Sequence, residues 1–347
     1  MKIGKSISKA ILVMTVLTVS TSAFANDIVK KVLTVEEATK MAISNDSQLK
    51  TNKLNLEVYK EKLKNNNLEV YQYTDLDIST KQLEQTISFS ADKISNEVWS
   101  LYNNYILTIQ ELAIMEGRIE LSDKQLIQAK IKKERGLISQ VDYDELLNKI
   151  EALKDEKRAK QQSISDMNKK FKMLVGVDIT QYELQNNISY ELFKYRDNID
   201  GYIAGKVDDM LKYSEELANY YDQTRIDRAS DKVGGLAPYW VDYLDVKAES
   251  SQKYTTITNN RQKYKESLLS VYSSLLSNEA KLEQAKANIS VLEKQLKVAE
   301  IKFNAGLIST YDYESVKQDM AEKEFEIESL TYACEQGKRI LEKPWLS

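Results

Sequence analysis

The 347-residue chain has no histidine, one cysteine, two prolines and ten glycines. Without histidine it has no imidazole to serve as a general base near neutral pH or as a zinc ligand. The lone thiol, Cys334, allows no intramolecular disulfide; it lies in a heptad-patterned stretch and reads as a small apolar helix residue. There is no glycine-rich phosphate loop and no nucleophile elbow. Carboxylates are plentiful but follow solvated helix faces. These absences argue against an enzyme and imply no cofactor and no metal.

Proline is scarce where it matters: none falls between Asp27 and Gly235, so no helix there is broken by it. Long apolar runs are scarce too. One exists, at the N-terminus, where Lys2, Lys5 and Lys9 precede a short apolar core from Ile11 to Val19 and an Ala23-Phe24-Ala25 cleavage pattern. It is shorter than the roughly 20 residues of a membrane helix. Residues 1–25 are therefore expected to be a signal peptide, and the mature protein to work in the cell envelope. That means the periplasm or outer membrane, or the cell surface in a single-membrane source. No cysteine near the cleavage site suggests a lipid anchor. Losing those three lysines and no acid takes the formal charge from −4 to −7, which argues against nucleic acid as a partner.

What the chain does have is a phrase written twice. Residues 131–144, IKKERGLISQVDYD, return 170 positions later as residues 301–314, IKFNAGLISTYDYE, with 8 of 14 positions identical. Each copy joins two heptad-patterned stretches. Gly136 and Gly306 read as helix stops at the C′ position, where positive φ is cheap only for glycine. Leu137-Ile138 and Leu307-Ile308 follow. Ser139 and Ser309 then restart the helix as N-caps, with Asp142 and Asp312 three residues on as capping-box partners. An internal repeat of this kind implies one helical hairpin unit, duplicated.

The pattern predicts an all-α fold of elongated coiled-coil hairpins in two tandem repeats. A first helix starts at the capping box Thr34-Val35-Glu36-Glu37, with Leu33 as its staple, and runs to about 67. Residues 68–80 lose the helical period and carry β-type residues. A helix over about 81–134 shows a seam of Ala91, Val98, Tyr105, Leu112, Ile119 and Leu126. Another follows to about 175. Residues 176–205 form a connection of short pieces. The second repeat reads as a helix over 206–232, a break from 234, a long helix over 248–304 and a last one to about 342. The repeats thus cover 26–175 and 206–347. The 248–304 helix carries two opposed apolar stripes. One includes Leu268, Leu275, Leu282, Ala285 and Ala299; the other is Ala280, Ala287, Val291, Val298, Ile301 and Ala305. Two stripes fit a helix gripped from both sides in a wall, or a single helix buried in a compact bundle.

The LTVEEATKMAISN start, the long helices ending in G-L-I-S-x-x-D-Y turns and the duplication resemble the TolC-type outer-membrane efflux family. That resemblance implies a homotrimer whose helices form a hollow cylinder, the exit duct of efflux pumps and type I secretion systems. It implies docking of a periplasmic adaptor (membrane-fusion) protein at the turns Gly136–Ser139 and Gly306–Ser309, with an inner-membrane ABC or RND pump beyond. It implies that Asp312 and its counterpart Asp142 ring the narrowed duct mouth. The family often carries a further acid three residues after Asp312, where this chain has Ser315. The sequence also departs from the family at the opposite end. A membrane β-hairpin needs two strands of about 9–11 residues, and residues 68–80 and 234–247 are each too short. The expectation is a TolC-like α-barrel protomer without a transmembrane β-barrel. The aromatics of those two segments (Tyr71, Tyr73, Tyr239, Trp240, Tyr243) pack on each other, or touch a membrane surface. The alternative class is a non-tubular coiled-coil structural or interaction protein of the envelope.

Overall fold

The computed structural model describes residues 30–64, 68–233 and 238–346. The expected signal peptide, residues 234–237 of the second break and the side chain of Tyr239 lie outside the described part. The elements in chain order are β1 (Val32–Leu33), α1 (Val35–Asn45), α2 (Ser47–Leu63), α3 (Val70–Glu134), α4 (Gln140–Val175), β2 (Glu183–Leu184), α5 (Ile199–Val233), α6 (Pro238–Asn304) and α7 (Thr310–Glu342). Short 3-10 turns at Ile179–Gln181 and Pro344–Leu346 complete the list. With 65 and 67 residues, α3 and α6 are each roughly 100 Å long.

The expected capping box at Thr34 is present: its hydroxyl accepts from the Glu37 amide at 3.2 Å, and the Glu37 carboxylate accepts from the Thr34 amide at 3.4 Å. The first helix does not run unbroken to 67. Asp46 ends α1 and caps α2, its carboxylate accepting from the Leu49 amide at 2.6 Å. The two breaks are smaller than the sequence suggests. Residues 70–80 and 238–247 are helical and extend α3 and α6. In α3 the β-branched residues are accommodated because Thr74 and Thr80 donate to the carbonyls of Val70 and Leu76, four residues back, and because Ile78 and Thr80 are buried. α5 begins at Ile199, seven residues earlier than expected, where the Asn198 side chain accepts from the Gly201 amide at 2.7 Å.

The helices form one layer. Toward the turns α3 and α4 pair, α3 and α7 pair, and α7 and α6 pair, giving the order α4-α3-α7-α6. Neighbours are antiparallel, as the bridges Lys160–Glu111 and Lys157–Glu116 (α4–α3) and Lys124–Glu314 and Arg118–Glu322 (α3–α7) show. Toward the opposite end α2 packs on α3, α3 on α5 and α5 on α6. A single layer has two open faces. Nearly every residue of α7, the helix with neighbours on both sides, is accordingly half-buried.

A core gathers at mid-height, where the connecting segments thicken the layer. In the first repeat Leu33, Val98, Tyr102, Phe171, Val175 and Ile179 pack together. The buried Tyr102 hydroxyl donates to the Leu33 carbonyl at 2.7 Å and accepts from the Gln185 amide at 2.9 Å. It thereby ties together the parallel pair β1–β2, whose strands lie 151 positions apart. The second repeat has its own core of Phe193, Ile203, Val207, Leu268, Leu275 and Leu341 around Cys334. Burial there pushes the Cys334 thiol up to about 11. Trp99 of α3 stacks on Tyr332 of α7 at 5.0 Å and joins the repeats.

Candidate functional site: the turn tips and the open edges of the wall

Both G-L-I-S turns lie at one end of the wall, because Lys124 near the end of α3 bridges to Glu314 near the start of α7 at 2.6 Å. Gly136 and Gly306 have φ of 71° and 70°. Each closes a Schellman motif. The Leu137 amide bonds to the Lys132 carbonyl at 2.8 Å and the Gly136 amide to Lys133 at 2.9 Å. The Leu307 amide bonds to Lys302 at 2.8 Å and the Gly306 amide to Phe303 at 2.9 Å.

The helix restarts match as closely. Ser139 Oγ accepts from the Asp142 amide at 3.1 Å while Asp142 Oδ2 accepts from the Ser139 amide at 3.0 Å. Ser309 and Asp312 repeat this at 3.1 and 3.2 Å. The Ser139 hydroxyl and amide together hold the Asp142 carboxyl below the usual carboxylate range. Both aspartates are exposed, so their charges face solvent as well as the caps.

Around these frames the surface is unusually apolar. Leu137 and Leu307 are 68% and 73% exposed, though each is the residue a Schellman motif lays against the preceding turn. Ile138 and Ile308 are half-buried. Ile127, Ile131 and Val141 are exposed beside the first turn, and Ile301 beside the second. A groove of about 520 Å³ runs up from the second turn between α6 and α7, lined by Val291, Val298, Lys302, Ile308, Asp312 and Val316 among others. The repeat pointed to the turns; the groove depends on how α6 leans on α7.

The two stripes of α6 separate cleanly. Leu268, Leu275, Leu282, Ala285 and Ala299 are buried, whereas Ala280, Ala287, Val291, Val298, Ile301 and Ala305 are exposed. A helix inside a compact bundle would bury both; here one stripe is covered and the other, expected to meet a second neighbour in a wall, is uncovered in the single chain. The other edge helix, α4, carries its own exposed small and apolar residues at Val141, Ala152, Ala159 and Met173. Ala152 and Val291 stand at nearly the same height, 16 and 15 residues from their turn glycines.

No family model matches the sequence, and no curated protein matches it. Solved structures match it in fold. Against CusC, in structures that concern folding and transmembrane channel formation, the TM-score is 0.61 at 11% identity, covering 90% of this chain and 92% of that one. Against the CmeC outer membrane channel of Campylobacter jejuni it is 0.61 at 11% identity, covering 90% and 85%. Against the outer-membrane channel OprN it is 0.61 at 9% identity, covering 90% and 91%. The described strands, two residues each, are far shorter than the roughly 9–11 residues that cross a bilayer. The chain shares the TolC-type fold of these outer-membrane channels, here in an all-α form built from two tandem helical hairpins.

Proposed function

We propose that three copies of this chain close into a hollow helical tube that serves as the trans-envelope duct of an efflux or type I secretion assembly. The supporting observation is the four-helix wall with two unpaired edges. The exposed Ala280–Ala287–Val291–Val298 stripe of α6 and the small-residue face of α4 at Ala152 and Ala159 suit each other as close-packing surfaces. An open layer with both edges apolar lowers its free energy by closing on copies of itself. Residues 1–25 direct the chain out of the cytoplasm, and the tube stands in the cell envelope.

At the lower mouth the tips engage the adaptor, which links the tube to an inner-membrane ABC or RND pump. Leu137 and Leu307 project apolar surface there, and the groove beside Ile308 offers room for a partner helix. Asp142 and Asp312 from three copies set six carboxylates around the mouth, a field that favours cations over anions.

The test is the mass of the processed protein in solution, with images of the same sample. A trimer mass with ring-shaped views is expected. A stable monomer without rings, alone or with an adaptor, would sink the duct and leave the solid coiled-coil envelope protein. Leu137→Asp with Leu307→Asp is expected to abolish adaptor capture while leaving the ring intact. Asp312→Asn keeps a capping oxygen and is expected to weaken the cation preference of a reconstituted tube.

A further inference from the structure

The end of the wall opposite the turns is uneven. Tyr220 of α5 donates to the Tyr71 carbonyl at 2.9 Å, which sets the start of α3 level with the middle of α5. α5 runs on to Val233, and Arg225 bridges across to Glu249 of α6 at 2.6 Å. At 1.5 Å per residue the α5–α6 pair therefore stands roughly 20 Å beyond Val70, the first residue of α3. This projecting crown carries the start of α6.

Its first turns are unusual among the helices here. α1, α4, α5 and α7 each place an acid in the first turn, and α2 and α3, which do not, start on the acidic N-caps Asp46 and Glu69, as a helix N-terminus in water favours. α6 places none. It presents Trp240 (51% exposed), Val241 (60%) and Leu244 (46%), with Tyr243 stacked on Trp240 at 5.4 Å. At 100° per residue these four share one face. Lys247 lies on that face one turn lower, its ammonium 5.7 Å from the Tyr243 ring. Asp242, Asp245 and Glu249 fall on the other side, toward Arg225 of α5. An apolar face with Trp and Tyr rings, a cation just below them and acids turned away is the side-chain order of a bilayer interface, where the rings sit at the headgroups and lysine reaches the phosphates.

We propose that this crown docks on the interfacial layer of a phospholipid bilayer without crossing it. A second copy is the competing occupant, since the face continues the exposed stripe of α6. A neighbour seated on that stripe would present its α2–α3 pair, however, and Val70, the first residue of that α3, lies roughly 20 Å short of Trp240 by the same rise. The crown stays uncovered by it. With charges of both signs close by, docking rests on apolar insertion, so it needs no anionic lipid. This inference goes beyond the duct and stands whether or not the tube closes.

The chain supplies its own probe. Trp99 is buried, and Trp345 stacks on Phe89 at 4.1 Å with its indole N–H bonded to Asp92. Trp240 is the exposed tryptophan. The processed full chain is titrated with phosphatidylcholine vesicles, with and without bromine-labelled acyl chains, and its mass is followed on the same samples. The expected result is a blue shift of the exposed tryptophan, quenching by the labelled lipid, and persistence in high salt. Val241→Asp with Leu244→Asp is expected to weaken vesicle binding by at least about tenfold, with helicity and mass unchanged. Binding that is unaffected by that double variant, or Trp240 fluorescence indifferent to vesicles, overturns the proposal. So does shielding of Trp240 that rises with protein concentration in the absence of lipid, which assigns the face to contacts between copies. A monomer that still binds lipid would sink the duct alone.

Discussion

Residues 133 and 303 hold the same place in the two turns, yet one is lysine and the other phenylalanine. Each packs on the tyrosine that the turn repeats. Lys133 holds its ammonium 4.5 Å from the Tyr143 ring, and Phe303 stacks on Tyr313 at 4.8 Å, nearly parallel. Beneath them the backbones agree within 1° in φ at the glycine and within 0.2 Å in every cap and Schellman distance. The frame of each turn is thus set by glycine, serine and aspartate acting locally. The skin of each turn was free to diverge. A partner that docks on both tips meets the same shape carrying two chemistries, one cationic and one apolar.

The sharpest way to break this comparison is at the glycines. Gly136→Val and Gly306→Val each force a branched side chain into positive φ. No atom stands within 4 Å of the added Cβ, so the loss is backbone strain alone, about 2 kcal/mol in either turn. Amide exchange at Leu137 and Leu307 should report equal losses; unequal ones would mean the frames are not equivalent. Ser139→Ala and Ser309→Ala remove the caps and should each cost about 1 kcal/mol, again equally, read from exchange at the Asp142 and Asp312 amides.

Differences should appear only in the skin. Phe303→Ala is expected to cost about 1 kcal/mol and Lys133→Ala about 0.5 kcal/mol, because a stacked ring loses apolar contact while an exposed cation loses a screened attraction. Denaturation midpoints of the two variants measure the gap. The smallest effect is one of pH. Asp142 has a folded pKa below its ordinary value, so its stabilising contribution is complete above that value and is lost as pH falls through the folded pKa. Carboxyl titration by NMR should show this, and Ser139→Ala should move the midpoint back up.

Short-range chemistry was legible in the residues. The Thr34 box, the glycine stops and the serine restarts all involve partners within five positions, and all are present. The stripes of α6 were legible too, since periodicity depends on helix geometry alone. Less legible were residues 70–80 and 238–247. Their aromatic and β-branched composition argues against helix; in 70–80 Ile78 and Thr80 are buried and the threonine hydroxyls bond back to their own helix, so packing overrides a propensity worth tenths of a kcal/mol per residue, while 238–247 opens on Pro238, whose fixed φ suits the first position of a helix. The break at Asp46 was missed although Asn45-Asp46-Ser47 offers favoured N-cap residues, because the flanking residues keep the helical period on both sides. The aromatics of these segments were expected to pack on each other or to touch a membrane surface. Trp240 stacks on Tyr243 of its own helix, while Tyr71 and Tyr73 stay 42% and 49% exposed.

The sequence by itself determined that this chain folds as two copies of a long helical hairpin, and where each hairpin turns, because those instructions are written within a few residues of where they act. The tertiary structure alone decided the order of helices in the wall, which of α6's two stripes is buried, the pairing of β1 with β2 and the overshoot of the α5–α6 crown. Those depend on contacts between residues from tens to more than two hundred positions apart, whose energies arise only once the layer has assembled.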